Sequence, residues 1–408
     1  MAAVIALLVG APATQAAAPQ RSPEAKWVGA WGAAPTNANY APVAMQSFRM
    51  IVRPTIAGEA IRLRFSNAYG ETPLELASVQ VARRTVGAAV ALGSSRPATF
   101  SGKRNVTIPP HGVAISDPVT VDYRFGDDLA VSFFVPDLTT QVTGHGAVNG
   151  LVTSYSTPAG SGDLTNDATG SAFSQTTTLV YFLAELDAYV PGALGTVVTF
   201  GDSITDGSYS TVDGHDTYPE VLARRLHDAG IKAGVLNQGI PGNTLLPCQS
   251  EAAFGDAGID RFDRDVLAIP NVRAVIIKEG GNDFRFCSTT AVDIEQALQS
   301  LVDRSRAVGI AAVVGTYVPR VSRTVVAGTN DAPDEAGDDH RQELNTWIRS
   351  HWTLFDGMID FDATVRDPAN PNRLRPDFDS GDGVHPNGLG YTAMAEDISL
   401  EALKRLLR

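Results

Sequence analysis

The stretch Thr196–Gly207, TVVTFGDSITDG, decides the fold of this 408-residue chain. A short run of β-branched and aromatic residues predicts a buried strand that stops at Gly201. Ser203 follows two residues later. Gly-Asp-Ser is ordinary turn chemistry after a strand. In an open parallel sheet, however, ligands bind beyond the carboxyl ends of the strands, so the stretch puts a hydroxyl where an active site is expected.

Strand-like and helical segments alternate five times over residues 195–408. The strand-like segments are TVVTF, AGVLNQG, VRAVIIKEGG, IAAVVGTYVP and GMIDFD, and a helical pattern follows each of them. Alternation of this kind predicts a parallel sheet flanked by helices. The strands carry few polar residues, as expected when helices cover both faces. The prediction is therefore an α/β, flavodoxin-like domain.

Residues 26–190 have a different pattern. Short runs, several of which alternate between apolar and polar residues, are separated by turns. Examples are MIVRPTI, AIRLRFSNAYG and DLAVSFFV, which are rich in Val, Ile and aromatic residues. This spacing predicts an antiparallel β-sandwich-like accessory domain in front of the α/β domain. Trp27 and Trp31 lie four residues apart near its start. They are interpreted as packing against the sandwich, with a sugar-binding platform as the alternative.

The composition limits the class of partner. The chain has 44% hydrophobic and 19% charged residues and a formal net charge of −13, which suits two globular domains. An acidic protein is repelled by phosphate backbones, so nucleic acid is not an expected partner.

The first residues predict export. An apolar run from Ala2 to Val9 is followed by small residues up to Ala18, so residues 1–18 are interpreted as a signal peptide, with an Ala-rich tail as the alternative. A secreted protein, extracellular or periplasmic, is expected. No later segment is long and apolar enough for stable membrane insertion.

Cys248 and Cys287 are the two cysteines, which suits one disulfide in an exported protein, the alternative being two unrelated thiols.

Four polar clusters are expected to meet at one edge of the sheet. Three follow the first three α/β strands and one precedes the last helix: Gly201-Asp202-Ser203, NQGIPGNT at 237–244, GGND at 280–283 and DGVHP at 382–386. Each cluster alone is ordinary turn chemistry. Their order and positions together point to a site, because loops after parallel strands converge.

The clusters contain the groups that acyl transfer needs. Ser203 supplies a hydroxyl, His385 an imidazole that can remove its proton, and Asp382 a carboxylate that can orient the ring. The backbone N–H of Ser203, the N–H of Gly242 and the side-chain amide of Asn282 can donate to an oxyanion.

The four clusters together resemble the sequence blocks of the SGNH (GDSL-type) hydrolase superfamily. The resemblance covers residues 195–408 and implies a Ser203, Asp382 and His385 triad with Ser203, Gly242 and Asn282 as the oxyanion hole. Gly242 is chosen over Gly239 because in the family the donor stands five residues after the Asn that opens the block. Ile204 replaces the usual Leu. Residues 26–190 are also similar, more weakly, to β-rich regions that precede this domain in some secreted bacterial members.

Other residues give no cofactor or metal site. The acidic run RPDFDSGDG lacks the Glu that would close a calcium loop, and GDSITDG lacks the Lys of a P-loop. His145, in TGHGAVNG, is interpreted as part of a plain turn, with a place in the active-site cleft as the alternative. Trp347 and Trp352 have the spacing of buried helix positions and are expected in the core.

The expected function is that of a secreted serine esterase that acts through an acyl-enzyme on a small-molecule or polysaccharide ester. A deacetylase of carbohydrate esters is the first choice, and a lipase or lysophospholipase is the second. Two further hypotheses are an acyltransferase and a carbohydrate-binding protein whose catalytic half has decayed. Acyl length, alcohol partner and oligomeric state are open.

Overall fold

The computed structural model describes residues 26–36, 40–146, 152–248, 254–320 and 335–408. The predicted signal peptide lies outside these residues. The first half of the chain consists of fourteen described strands: β1 (Trp27–Gly32), β2 (Gln46–Val52), β3 (Ala60–Ser66), β4 (Leu74–Leu76), β5 (Ser78–Arg83), β6 (Arg96–Pro97), β7 (Val106–Ile108), β8 (Val113–Ile115), β9 (Leu129–Val135), β10 (Gly144–His145), β11 (Ser154–Ser156), β12 (Gln175–Thr177), β13 (Val180–Tyr181) and β14 (Leu183–Tyr189).

Most of these strands form two antiparallel sheets. One has the order β1-β14-β3-β8 and the other β12-β11-β2-β9-β5-β6, while β10-β13 and β4-β7 form small ribbons. In β3, Ile61, Leu63 and Phe65 are fully buried in the core. Arg62 and Arg64 between them lie on the opposite face, where they pair with buried carboxylates of β14. This alternation follows from the period of two in a strand. The buried faces share one apolar core, so the predicted antiparallel β-rich region is present.

The second half contains the predicted parallel sheet. Its strands are β15 (Gly195–Gly201), β16 (Ala233–Gly239), β17 (Val272–Lys278), β18 (Ala311–Gly315) and β19 (Gly357–Ile359). Their order is β16-β15-β17-β18-β19, and every neighbouring pair is parallel. The described α-helices are α1 (Ser203–Asp206), α2 (Tyr218–Asp228), α3 (Gly258–Phe262), α4 (Asp283–Phe286), α5 (Ala291–Ala307), α6 (Glu335–Ser350), α7 (Phe361–Val365), α8 (Gly388–Asp397) and α9 (Leu400–Leu406). A hairpin of β20 (Arg366–Asp367) and β21 (Asn370–Leu374) precedes α8.

Helices cover both faces of this sheet. Val197 and Ile276 pack in a core with residues of α2, α7, α8 and α9, whereas Val198 and Ile277 pack in a second core with residues of α3, α5 and α6. Neighbouring residues of a strand point to opposite faces, so a strand buried on both sides must be apolar throughout. The fold is therefore the flavodoxin-like one that the sequence predicts.

The antiparallel sheets dock on the parallel sheet through β1, which packs against β16. The N–H of Gly29 donates to Thr196 Oγ1 at 2.9 Å, and Thr55 Oγ1 donates to the carbonyl of Val235 at 2.8 Å. A Cβ at Gly234 would lie 2.0 Å from the Gly29 carbonyl oxygen, so the close approach requires glycine. Strand β14 belongs to an antiparallel sheet and β15 to the parallel sheet. The division into two domains between these strands stays a prediction.

The tryptophans have mixed outcomes. Trp27 is buried, and its ring meets that of Tyr189 edge to face with centroids 5.3 Å apart. Trp31 is partly buried and packs against the apolar core of the antiparallel sheets. Trp347 packs partly buried against the sheet core. The prediction for Trp352 is wrong, because its residue is 57% exposed. Helix α6 ends at Ser350 and Trp352 begins a short 3₁₀ turn, so the spacing of an α-helix no longer applies there. Within the described ranges, we find no helix with the length and hydropathy of a membrane span.

Candidate active site

The turn after β15 holds Ser203 at the carboxyl edge of the sheet. Strand β15 ends at Gly201, where a Cβ would lie 2.3 Å from the carbonyl oxygen of Lys278. Asp202 then caps α1, because its side chain accepts a hydrogen bond from the N–H of Ile204 at 2.9 Å. Ser203 is the first residue of α1 and lines a cleft of about 280 Å³.

The Ser203 hydroxyl and the His385 imidazole, 182 residues apart in sequence, are neighbours. Ser203 Oγ lies 2.8 Å from His385 Nε2, and His385 Nδ1 lies 2.6 Å from Asp382 Oδ2. The other carboxylate oxygen of Asp382 accepts from the backbone N–H groups of Val384 at 2.8 Å and His385 at 2.9 Å. The turn between Asp382 and His385 is thus fixed by its own backbone.

Asp382 is held in its ionised form. Burial opposes the charge, but the hydrogen bond and charge of His385 and the two backbone N–H groups outweigh it and lower the pKa of Asp382 to about 2. A carboxylate at this position accepts from Nδ1–H and leaves Nε2 free to accept the hydroxyl proton. The ring of Tyr209 stacks on the imidazole with centroids 5.0 Å apart and further restricts its orientation.

Gly242 and Asn282 line the same cleft. Gly242 has φ +75°, and a Cβ there would lie 2.5 Å from the ring of Phe254. Asn282 Nδ2 donates to the carbonyl of Asn243 at 2.8 Å. An amide nitrogen carries two hydrogens, so this bond fixes the group and leaves the second N–H for a ligand.

Gly239 is placed differently: a Cβ there would lie 2.1 Å from the backbone nitrogen of Asp206, so Gly239 serves the packing of α1 on β16.

The contacts made by buried charged residues in and beneath the cleft were not predicted from the sequence. Asp283 accepts from the N–H groups of Leu245 and Leu246, each at 2.8 Å. It so ties the loop that follows β16 (residues 240–248, the glycine-block loop) to α4. Burial raises the pKa of Asp283 to about 6, against the lowering effect of these backbone bonds. Lys278 Nζ lies 3.2 Å from both carboxylate oxygens of Asp202.

Arg261 is a second buried support that sequence reasoning missed. Its guanidinium donates to the carbonyls of Gly201 at 3.0 Å and Gln238 at 2.9 Å, and to Asn243 Oδ1 at 2.8 Å. It thereby joins the ends of two strands to the loop that carries Gly242. The one sign of buried charge in the sequence was the pair Lys278-Glu279 at the end of the apolar strand β17. The residues around Arg261 form no pattern that indicates its role.

His145 lies outside the cleft, and it forms more than a plain turn. Its Nε2 is 2.9 Å from Asp206 Oδ1, and its Nδ1 is 2.8 Å from the carbonyl oxygen of Ala34. Both His145 and Asp206 line a separate cavity of about 70 Å³ between the antiparallel sheets and the α/β region.

The two cysteines form a disulfide, with Cα atoms 5.5 Å apart. It joins the end of the glycine-block loop at Cys248 to Cys287, which directly follows α4. The rings of Phe254 and Phe286 stack near it, with centroids 6.1 Å apart, and both line the cleft. Among the described residues, no three His, Cys, Asp or Glu side chains are grouped to hold a metal ion.

The fold and the site agree with the family whose sequence model matches this chain. The sheet is parallel, and the polar groups lie together at its carboxyl edge. The family model for the GDSL-like lipase/acylhydrolase family matches residues 199–393. The protein is a carboxylic ester hydrolase. Its carboxyl-terminal half belongs to the GDSL-like lipase/acylhydrolase family and, with it, to the SGNH hydrolase superfamily. No curated protein sequence matches the chain.

Several solved structures are similar to about half of the chain. The native aryl esterase of M. smegmatis is 19% identical, with a TM-score of 0.40, and the match covers 52% of this chain and 96% of that one. A carbohydrate acetylesterase family member from Sinorhizobium meliloti is 19% identical, with a TM-score of 0.38 and coverage of 52% and 98%. A GDSL-like lipase from Bacteroides thetaiotaomicron VPI-5482 is 21% identical, with a TM-score of 0.36 and coverage of 52% and 88%.

Proposed function

We propose that the protein is an exported serine esterase with Ser203 as nucleophile, and that it removes acetyl groups from carbohydrate esters. The observation that carries the mechanism is the chain of contacts from Ser203 Oγ to His385 Nε2 at 2.8 Å and from His385 Nδ1 to Asp382 Oδ2 at 2.6 Å. Both distances are within hydrogen-bond range for a nucleophile, its base and the group that orients the base.

The reaction proceeds in two steps. Ser203 Oγ attacks the ester carbonyl while His385 Nε2 takes the hydroxyl proton, and the new imidazolium is stabilised by the Asp382 carboxylate. The imidazolium then protonates the leaving alcohol and an acyl-enzyme remains. Water attacks the acyl group with His385 as base, releases the acid and restores the hydroxyl.

Three donors are available for the oxyanion that forms in each step. The N–H of Ser203 lies at the start of α1, the N–H of Gly242 is on a loop whose conformation suits glycine, and Asn282 Nδ2 retains one hydrogen. Loss of one such donor costs about 10²–10³ in rate in related chemistry. The Asp283 and Arg261 contacts hold these loops together and so preserve the positions of the donors.

The cleft favours a short acyl group on a polar alcohol over a lipid. Its described lining includes Arg285 and Arg320, and among the large apolar side chains that are exposed in the described part of the chain only Phe286 lines it. A lipase needs a wider apolar surface around its site. Export is supported by the apolar segment at residues 2–9 and by the disulfide, which persists in oxidising compartments.

The test compares acetyl and long-chain p-nitrophenyl esters, acetylated xylan and acetylated pectin, each with the wild type and Ser203→Ala. We expect the highest kcat/KM on acetyl esters and a loss of several orders of magnitude with Ser203→Ala. A full rate for Ser203→Ala on p-nitrophenyl acetate would overturn the mechanism. A preference for long-chain esters would replace the deacetylase by a lipase, and transfer of the acetyl group to an added alcohol in preference to water would indicate an acyltransferase.

A further inference from the structure

Helix α1 carries a second histidine contact at its other end. Ser203, its first residue, meets His385, and Asp206, its last residue, meets His145 of the antiparallel region. The His145 and Asp206 side chains are each 3% exposed. The other Asp206 oxygen, Oδ2, has no hydrogen-bond partner among the described residues. Among the described residues, His145 is therefore the hydrogen-bond partner of this buried carboxylate.

The protons of this pair can be assigned from its partners. A carbonyl oxygen only accepts, so the Nδ1 that faces Ala34 carries a hydrogen. Burial alone would lower the pKa of His145, but the Asp206 carboxylate and the Ala34 bond outweigh it and raise the pKa. A ring protonated at both nitrogens then donates from Nε2 to Asp206 Oδ1, while burial also raises the pKa of Asp206. The contact is a buried hydrogen bond between the two regions.

Three segments of the antiparallel region fix His145. It lies in β10, which pairs with β13, and the Gly144 carbonyl beside it accepts from the N–H of Thr36 at 2.6 Å. A Cβ at Gly144 would lie 2.7 Å from the ring of Tyr40, so glycine permits this close packing. Nδ1 of His145 is held by Ala34 on the same segment as Thr36. The imidazole is thus held rigidly where it meets α1.

Asp206 is equally fixed to the nucleophile turn. Its N–H donates to the Asp202 carbonyl at 2.9 Å, and its carbonyl accepts from Asn237 Nδ2 at 3.1 Å. The Ser203 carbonyl accepts from Gly207 and Ser208, each at 2.9 Å. A helix of four residues has few internal hydrogen bonds of its own, so its orientation depends on such outside contacts.

We propose that His145 is a positioning residue of the esterase: by binding Asp206 it fixes α1, and with it the Ser203 hydroxyl and N–H, so that the antiparallel region completes the catalytic unit. This inference rests on the proposed function of Ser203. A displacement of about 1 Å at a reacting group can cost about 10²-fold in rate, which sets the scale of the effect. The effect falls on kcat, because the pair lies outside the substrate cleft.

Four variants separate the link from mere packing. His145→Asn keeps the donor to Ala34 but is too short to reach Asp206, and Asp206→Ala removes the other half of the link. His145→Gln places an amide N–H near the position of Nε2, and Asp206→Asn can donate to a neutral Nε2. We expect kcat on p-nitrophenyl acetate to fall about tenfold to hundredfold in the two broken variants, with KM changed less than about twofold, and to stay within about threefold of wild type in the two that conserve the link.

Thr55→Val is the matched control. It removes the contacts of Thr55 Oγ1 with Val235, which join the same two regions, and with Ala30 inside the antiparallel region, but it does not touch α1. We expect it to lower the melting temperature without changing kcat. Ser203→Ala, measured alongside, shows whether hydrolysis depends on Ser203 at all, so failure of the proposed function is recognised separately. A wild-type kcat in His145→Asn and Asp206→Ala, or an equal kcat loss in Thr55→Val, would overturn the positioning role.

Discussion

Two histidine–aspartate pairs lie at the two ends of one four-residue helix, and they differ in almost every physical respect. The cleft pair, Asp382 and His385, is three residues apart on one turn and has side chains 28% and 17% exposed. The interface pair, His145 and Asp206, is 61 residues apart, joins two regions of the chain and has side chains 3% exposed. A partly exposed pair can exchange protons with a ligand, whereas a buried pair serves to hold structure in place.

Replacement of the cleft histidine separates the two roles most strongly. His385→Ala removes the base from Ser203 and should lower kcat by about 10⁴-fold or more, because the triad acts as a unit. The loss of its contact with Asp382 should lower the free energy of unfolding by no more than about 2 kcal/mol, so the variant should still fold. Steady-state kinetics and thermal unfolding of the same sample check both numbers. A kcat within tenfold of wild type would contradict the proposed role of His385.

Replacement of the interface histidine should give the opposite profile. His145→Ala leaves the Asp206 carboxylate buried without its partner, which costs about 3 kcal/mol of unfolding free energy. Urea unfolding measures this loss, and the rate should fall far less than in His385→Ala. A stability equal to that of wild type would mean that the buried pair contributes nothing to the fold.

The acid limit of the cleft pair can be measured through stability. The folded-state pKa of Asp382, about 2, lies below the ordinary value of about 3.9, so its ionised form stabilises the fold above pH 4 and this contribution is lost as the pH falls towards 2. The wild type should exceed Asp382→Asn by about 2 kcal/mol at pH 5, and the gap should close steadily below pH 4. A gap that is constant between pH 5 and pH 3 would contradict the role of the His385 contact in holding Asp382 ionised.

A smaller effect is expected at Gly242, which belongs to neither pair. Gly242→Ala combines a left-handed backbone with a Cβ 2.5 Å from Phe254, so the loop must shift and kcat should fall about tenfold. Gly309→Ala is the matched control, since its φ is +77° but its Cβ would meet nothing within 4 Å. Equal rates for the two variants would remove the reason to place an oxyanion donor at Gly242.

The comparison also explains how much the sequence alone could predict. The cleft groups were predictable because parallel strands send their loops to one edge. Ser203 and Asn282 could be placed together from their positions after strands, and His385 from its place in the polar cluster before the last helix. The five strands of the sheet were predictable because burial on both faces makes them apolar throughout. Family resemblance then selected Gly242 within its block, and no independent periodic signal does so.

The supports of the site could not be predicted, because they depend on tertiary contacts. Arg261 and Asp283 act through hydrogen bonds to backbone groups of distant loops, which leave no trace in a local pattern. The docking of β1 on β16 brings His145 to Asp206, and nothing in TGHG indicates this partner. Trp352 was misplaced for the related reason that the end of α6 decides its environment.

Labelling with a fluorophosphonate tests the central claim most directly, since the reagent reacts with a serine hydroxyl that a neighbouring base has activated. We expect one adduct per chain, mapped by mass spectrometry to Ser203, with loss of esterase activity in proportion to labelling and little labelling of His385→Ala. An adduct on another residue, or full ester hydrolysis by a chain whose Ser203 is fully labelled, would contradict this claim.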